Sequence, residues 1–228
     1  MILIKQMLFV IALKKENKMI KVKIHSDYYD MNEKLFNFPR DICTIRRGVT
    51  YLVGCNGSGK STILGAINNK YRWDEDPNLV FIEIDERDGG NRTLMNKSLY
   101  NGNMDLLSSM AVSSEGERIK IYLGTKISGL AKKLKDNPNV KLVITIDSID
   151  SGLSIDNIEE IKELIEDTIM KDAPKDTHII ISANTFTFVK DSICLDVSTN
   201  TYHKFKTYDE YAEFIRKSSE YKKNRSNE

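Results

Sequence analysis

Neither sign of charge dominates this chain: 34 lysines and arginines stand against 33 aspartates and glutamates, a net charge of +1. That balance gives no general attraction to nucleic acid or to an anionic membrane, so nucleic-acid binding has no support from charge. Cysteine is scarce. Cys43, Cys55 and Cys194 are odd in number and far apart, which excludes a disulfide scaffold and metal-ligand spacing and fits a reducing, cytoplasmic setting. No run approaches the roughly 20 apolar residues that cross a bilayer, so no membrane insertion is expected. Residues 1–18 hold a short apolar run broken by Lys5, without a small-residue cleavage site. They read as a peripheral strand or extension rather than a secretory signal, and Met19 offers a second start. Internal repeats, heptads and low-complexity linkers are also lacking.

What is present suits a folded α/β protein. The chain has 228 residues, 40% of them hydrophobic, enough for one large domain or two small ones. Short β-rich runs at 19–25, 42–46, 49–53, 79–84, 141–146, 178–183 and 193–197 predict strands. Helices are expected over 61–70, from a capping box at Ser114 and Glu117 to about 136, over 155–171 behind Ser154, and over 208–217 behind a second capping box at Thr207 and Glu210. On the 155–171 helix, apolar positions 155, 158, 161, 165 and 169 trace one face. Residues 199–205 read as a hairpin return, 85–104 as a polar loop or loosely helical insert, and the chain after Lys217 as a frayed charged tail. Strands alternating with helices predict a mostly parallel sheet with helices on its faces.

One motif carries chemistry directly. Gly54-Cys55-Asn56-Gly57-Ser58-Gly59-Lys60-Ser61 fits G-x-x-x-x-G-K-[ST] and follows an apolar strand and precedes a helix-forming run. The glycines let backbone N–H groups turn inward around phosphates. Lys60 reaches the outer phosphates, Ser61 offers a hydroxyl to Mg²⁺, and the helix points its positive end at the anion. The ligand so implied is ATP with Mg²⁺. Cys55 reads as a small residue of the loop, not a reactive thiol.

The run from Ile45 to Thr62 resembles the lead-in and phosphate loop of ABC-type ATPases, a group that includes transporter nucleotide-binding subunits and SMC-type heads. Gly54, Asn56, Gly57, Ser58, Gly59, Lys60, Ser61 and Thr62 match its nucleotide-binding loop. Ser113-Ser114-Glu115-Gly116-Glu117 resembles a divergent signature motif. On that reading Ser114 and Gly116 hold the γ-phosphate of ATP bound to a second copy; the alternative is a plain helix cap. Tyr29 stands about where the family stacks a tyrosine on adenine, with Tyr28 as a competitor. Lys141 to Asp147 resembles the Walker B strand, which puts Asp147 beside Ser61 as a metal ligand.

The departures from the family bear on turnover. Ser148 replaces the glutamate that orients the attacking water, and Asn184 falls where the switch histidine is expected. Asp150 is a candidate substitute for the missing carboxylate. His178 lies at the wrong end of its strand for the switch role, and Asp85 is the nearest polar residue to a Q-loop position. The resemblance implies a P-loop NTPase fold of the ABC type, with a mostly parallel core sheet, a short antiparallel β lead-in and a reduced helical lobe at about 86–138. It sets residues 19–217 as the ATPase domain, 1–18 as an extension and 218–228 as a tail. The function implied is Mg-ATP binding with weak hydrolysis and head-to-tail homodimerisation that switches an unidentified protein partner. The alternatives are a membrane transporter's nucleotide-binding subunit and a hydrolysis-deficient interaction module.

Overall fold

The structure is a computed structural model that describes residues 19–24, 42–85, 139–150, 153–171 and 173–225, with positions 117, 121, 124, 125 and 134 between them. Strands β1 (Ile20–Lys23) and β2 (Ile42–Ile45) form a small antiparallel sheet, with Ile20 opposite Ile45. The main sheet contains β3 (Gly48–Val53), β4 (Leu79–Asp85), β5 (Lys141–Asp147), β6 (Asp176–Ser182), β7 (Cys194–Asp196) and β8 (Thr201–His203). Its order is β4-β5-β6-β3-β7-β8. Every neighbouring pair is parallel except the β7–β8 hairpin at the edge. The mostly parallel sheet, the antiparallel lead-in and the hairpin return all match the expectation.

The central strands β5, β6 and β7 and the second half of β3 are buried on both faces, which explains their near-continuous apolar runs. Alternate residues point to opposite sides. Leu52, Val143, Ile180 and Leu195 pack with Ile63, Leu64, Ile67 and Tyr71 of α1 (Lys60–Arg72) and with β1 and β2. Tyr51, Val53, Ile144, Ile146, Ile179 and Ile181 face the other side. There they meet α2 (Ile155–Glu163), the short α3 (Phe186–Val189) and α4 (Tyr208–Arg225). Each such aliphatic side chain contributes ~1.5–3 kcal/mol by leaving water.

Three local expectations are corrected. The 155–171 helix buries Ile158, Ile161, Ile165 and Ile169, but Ile155 is 66% exposed in the first turn, and Leu164–Ile169 winds as a π-helix. Ser154 occupies the N-cap position, yet its hydroxyl accepts from the Asn157 side chain rather than from a backbone N–H. The chain does not fray after Lys217: α4 continues to Arg225, and Ser218 is buried. Charge at the end of the sequence hid the burial of Ser218. The second capping box is present. Thr207 Oγ1 accepts from Glu210 N, and Glu210 Oε2 accepts from Thr207 N, each at 3.3 Å. Ser114, with the first capping box, lies outside the described residues.

Candidate functional site

In this sheet order β3 stands between β6 and β7, with β5 beyond β6. The C-terminal ends of β3, β5 and β6 therefore open on one side. Ligands of open parallel sheets bind at that end. The β3–α1 loop, the Asp147–Asp150 turn and the Ser182–Thr185 turn converge there.

The β3–α1 loop is shaped by glycine. A Cβ at Gly54 would come within 2.5 Å of Ser58 Oγ and 3.1 Å of Val197 Cγ2, so only glycine lets the chain cross there. Gly57 has φ +72, in the left-handed region that suits a residue without a Cβ. Ser58 N donates to Cys55 O at 3.1 Å and closes the turn. Gly59 is left-handed at the N-cap of α1, and Lys60, Ser61 and Thr62 form that helix's first turn, where backbone N–H groups have no partner within the helix.

Two side chains at this turn could hold an anion. Lys60 is buried, and its Nζ donates back to Gly54 O at 2.9 Å and to Cys55 O at 3.4 Å. Burial lowers its pKa, opposed by Cys55 and Asp150, which raise it. Ser58 Oγ is buried and has no hydrogen-bond partner among the described residues. A buried hydroxyl without a partner normally costs free energy. Here it lies in the same turn as a lysine folded onto its own loop. Cys43, Cys55 and Cys194 are free and buried; burial pushes the Cys43 and Cys194 thiols up to about 12.

Ser61 and Asp147 line one cavity of about 200 Å³ between α1 and strands β4 and β5. Its far end is held by side chains that the sequence reading did not single out. Thr145 Oγ1 donates to Asn68 Oδ1 at 2.7 Å, Asn68 Nδ2 donates to Glu83 Oε1 at 2.8 Å, and Arg72 grips Glu83. A hydroxyl and a carboxylate facing one space suit Mg²⁺, which takes few protein oxygens and completes its shell with substrate phosphates and water. Among the described residues no cluster of three His, Cys, Asp or Glu offers an all-protein metal cage. Asp85 lies opposite Asp147 in the β4–β5 register.

The Asp147 turn carries a second set of contacts. Ser182 Oγ donates to Asp147 Oδ1 at 2.5 Å and accepts from Ser148 N at 2.8 Å. Ser148 is left-handed, with φ 58, and its hydroxyl donates to Asp147 Oδ1 at 3.2 Å. Asp150 is buried. Its Oδ2 accepts from Asn184 N, Thr185 N and Thr185 Oγ1, and its Oδ1 accepts from Asn184 Nδ2. Tyr211 Oη of α4 donates to Asn184 O at 3.0 Å. His178, at the far end of β6, is buried against Arg46 O and Asp176, remote in register from Asn184.

The structure thus brings together Gly54, Asn56, Gly57, Ser58, Gly59, Lys60, Ser61, Thr62, Asp147, Ser148, Asp150 and Asn184. Ser114, Gly116 and Tyr29 lie outside the described residues. Sequence reading missed Ser182 and the α4 residues Ser218 and Lys222. Cys55 N donates to Ser218 Oγ, and Lys222 Nζ donates to Asn56 O, each at 3.0 Å. No local pattern marks these residues, because what they touch is distant in sequence.

No protein-family model matches the sequence, and no curated protein matches it. Among solved structures, the chain is similar to an ATP-binding cassette of an ABC transporter in its ADP conformation. The TM-score is 0.50 at 14% identity, over 90% of this chain and 98% of that one. No helix among the described residues is long and apolar enough to cross a membrane.

Proposed function

We propose that this chain, which has the fold of an ABC-type ATPase, binds Mg-ATP at the β3–α1 loop and hydrolyses it slowly. The observation that carries the reading is the pair at the loop: a buried ammonium resting on its own loop carbonyls, and a buried hydroxyl without a partner among the described residues. A triphosphate supplies acceptors for both. Lys60 would move to the outer phosphates, and the amides of Gly57 to Thr62 and the Ser58 hydroxyl would donate to them. Ser61 and Asp147 would hold Mg²⁺, and Ser182 would keep the Asp147 carboxylate turned toward the cavity. The ion supplies charge neutralisation of the phosphates during transfer to water.

Slow turnover follows from the residue after Asp147. The Ser148 hydroxyl donates to Asp147 and carries no carboxylate to orient a water. Loss of such a group costs ~10²–10⁴-fold in rate. Asp150 remains the substitute carboxylate within this reading, and Asn184 the polar residue beside it. ATP would pair two copies head to tail, with Ser114 and Gly116 of one copy reaching the nucleotide of the other, and Tyr29 would stack on the adenine. The paired state would act as a cytoplasmic switch for a protein partner. The contact between Ser148 and Asp147 also favours a second reading, an ATP-stabilised interaction module without turnover.

Fluorescent ATP-analogue titration of native protein and Lys60→Ala tests the binding. Loss of the lysine's charge-assisted contacts should weaken affinity by about 100-fold or more. Native affinity in that variant would overturn the assignment. Light-scattering mass with and without Mg-ATP tests the pairing, and a monomer in both conditions rejects it. Dimerisation with no phosphate release would select the second reading.

A further inference from the structure

The last helix of the chain lies against the phosphate loop. Along one stripe of α4, at positions i, i+7 and i+11, Tyr211 holds the Asn184 carbonyl, Ser218 accepts from Cys55 N, and Lys222 donates to Asn56 O. Residues at these intervals share a helix face. One rigid element therefore touches both turns at the C-terminal end of the sheet. Gly57 belongs to the same arrangement, since a Cβ there would collide with the Lys222 ammonium.

The hydrogen bonds run in a definite direction through the loop. The described peptide bonds are all trans, so the C=O and N–H of one unit point opposite ways. In the Gly54–Cys55 unit the C=O faces Lys60 Nζ and the N–H faces Ser218. Ser218 therefore lies on the side of the loop away from the lysine. In the Asn56–Gly57 unit the C=O is turned to Lys222, which sends the Gly57 N–H away from α4. An ammonium on a peptide oxygen also polarises the unit and strengthens its N–H as a donor.

The geometry points to Lys222 and Ser218 as positioning residues of the nucleotide site. They grip the outer groups of the β3–α1 loop so that its amides, that of Gly57 first, are fixed toward the phosphates before ATP arrives. Neither touches the nucleotide. The inference rests on the ATP-binding reading above, and it adds that α4 belongs to the binding apparatus although it follows every phosphate-binding motif in the chain.

The test measures Mg-ATP affinity in the full chain for Lys222→Gln, Lys222→Arg and Ser218→Ala. Lys217→Gln is the control, because it removes the same charge from a side chain engaged with Glu213. Lys222→Gln should weaken ATP by about tenfold and Ser218→Ala by about threefold. Lys222→Arg should recover most of the loss, and Lys217→Gln should bind as the native chain does. In nucleotide-free protein, the NMR amide proton of Gly57 should move upfield in Lys222→Gln, because the carbonyl of its unit loses a charged donor. The melting midpoint without nucleotide should shift by less than about 2 °C, since Lys222 is exposed. Native ATP affinity in Lys222→Gln, alongside collapsed binding in Lys60→Ala, would overturn the inference and leave the ATP site standing. A Lys222→Gln loss that tracks a large fall in melting midpoint would overturn it as well. Native binding in Lys60→Ala would instead remove the ATP reading itself.

Discussion

The two halves of the site treat their polar groups differently. In the β3–α1 loop, Ser58 Oγ is buried without a partner among the described residues, and Lys60 is buried on the carbonyls of its own turn. Around Asp147 and Asn184 the polar atoms answer one another: Ser182 and Ser148 donate to Asp147, and Asn184 and Thr185 donate to Asp150. Leaving a buried polar group unmatched is costly, so the first half reads as built for an incoming partner. The second half reads as largely complete in the free chain. Nucleotide affinity and turnover should therefore separate under mutation.

The largest expected effect is at Asp150. Its carboxylate collects two backbone N–H groups and two side-chain donors at the 184–185 turn. Replacement with alanine removes all four contacts of this buried carboxylate and unties the turn, at a cost of about 3 kcal/mol, to be read from urea unfolding. Asp150→Asn separates architecture from catalysis. If Asp150 orients water, the variant loses phosphate release by more than its stability change explains. If its carboxylate only ties the turn, release per folded molecule stays at the native rate. The second outcome would make the contrast between the halves sharper still.

Ser148→Glu comes next. It places a carboxylate where the proposed hydrolysis would use one, at a position with φ 58, where a larger side chain meets backbone strain. Some of the benefit should therefore be lost, and phosphate release should rise by about tenfold rather than by the full range of a positioned base. ATP affinity should stay close to native, because the phosphate loop is untouched. No increase in release would mean that the second half is closed to catalysis for reasons beyond one missing group.

The first half was legible because its chemistry is local: a strand, a glycine-rich turn, Lys60 and Ser61 are contiguous. The Asp147 strand was legible for the same reason, and so was the capping box at Thr207 and Glu210. Ser182 lies 35 residues from Asp147, and Ser218 lies 163 from Cys55. Those contacts exist because β6 inserts between β3 and β5 and because α4 returns over the loop. Sheet order is not written in any short window. The four-residue α3 is too short for a periodic signal, and the polar surroundings of Ser218 hid its burial. The π-helical turn arises where the pattern of apolar positions had suggested an ordinary helix.

His178 gives the smallest effect and lies away from both halves. Its imidazole is buried at the opposite end of β6 from Asn184. Burial holds its pKa below the ordinary 6.5, while the Arg46 carbonyl and Asp176 push it up and Lys141 pushes it down. The neutral ring is favoured in the folded chain. Its contribution to stability is therefore complete above about pH 6.5 and is lost as pH falls through the lower folded value, because the unfolded chain takes up the proton first. Melting midpoints measured from pH 8 to pH 5 should decline through that window, and His178→Gln should flatten the decline. Nucleotide affinity per folded molecule should not follow it, since the ring faces Arg46 and Asp176 rather than the phosphate loop. A parallel fall in affinity that His178→Gln abolishes would tie this end of β6 to the site and break the separation between stability and binding on which the contrast depends.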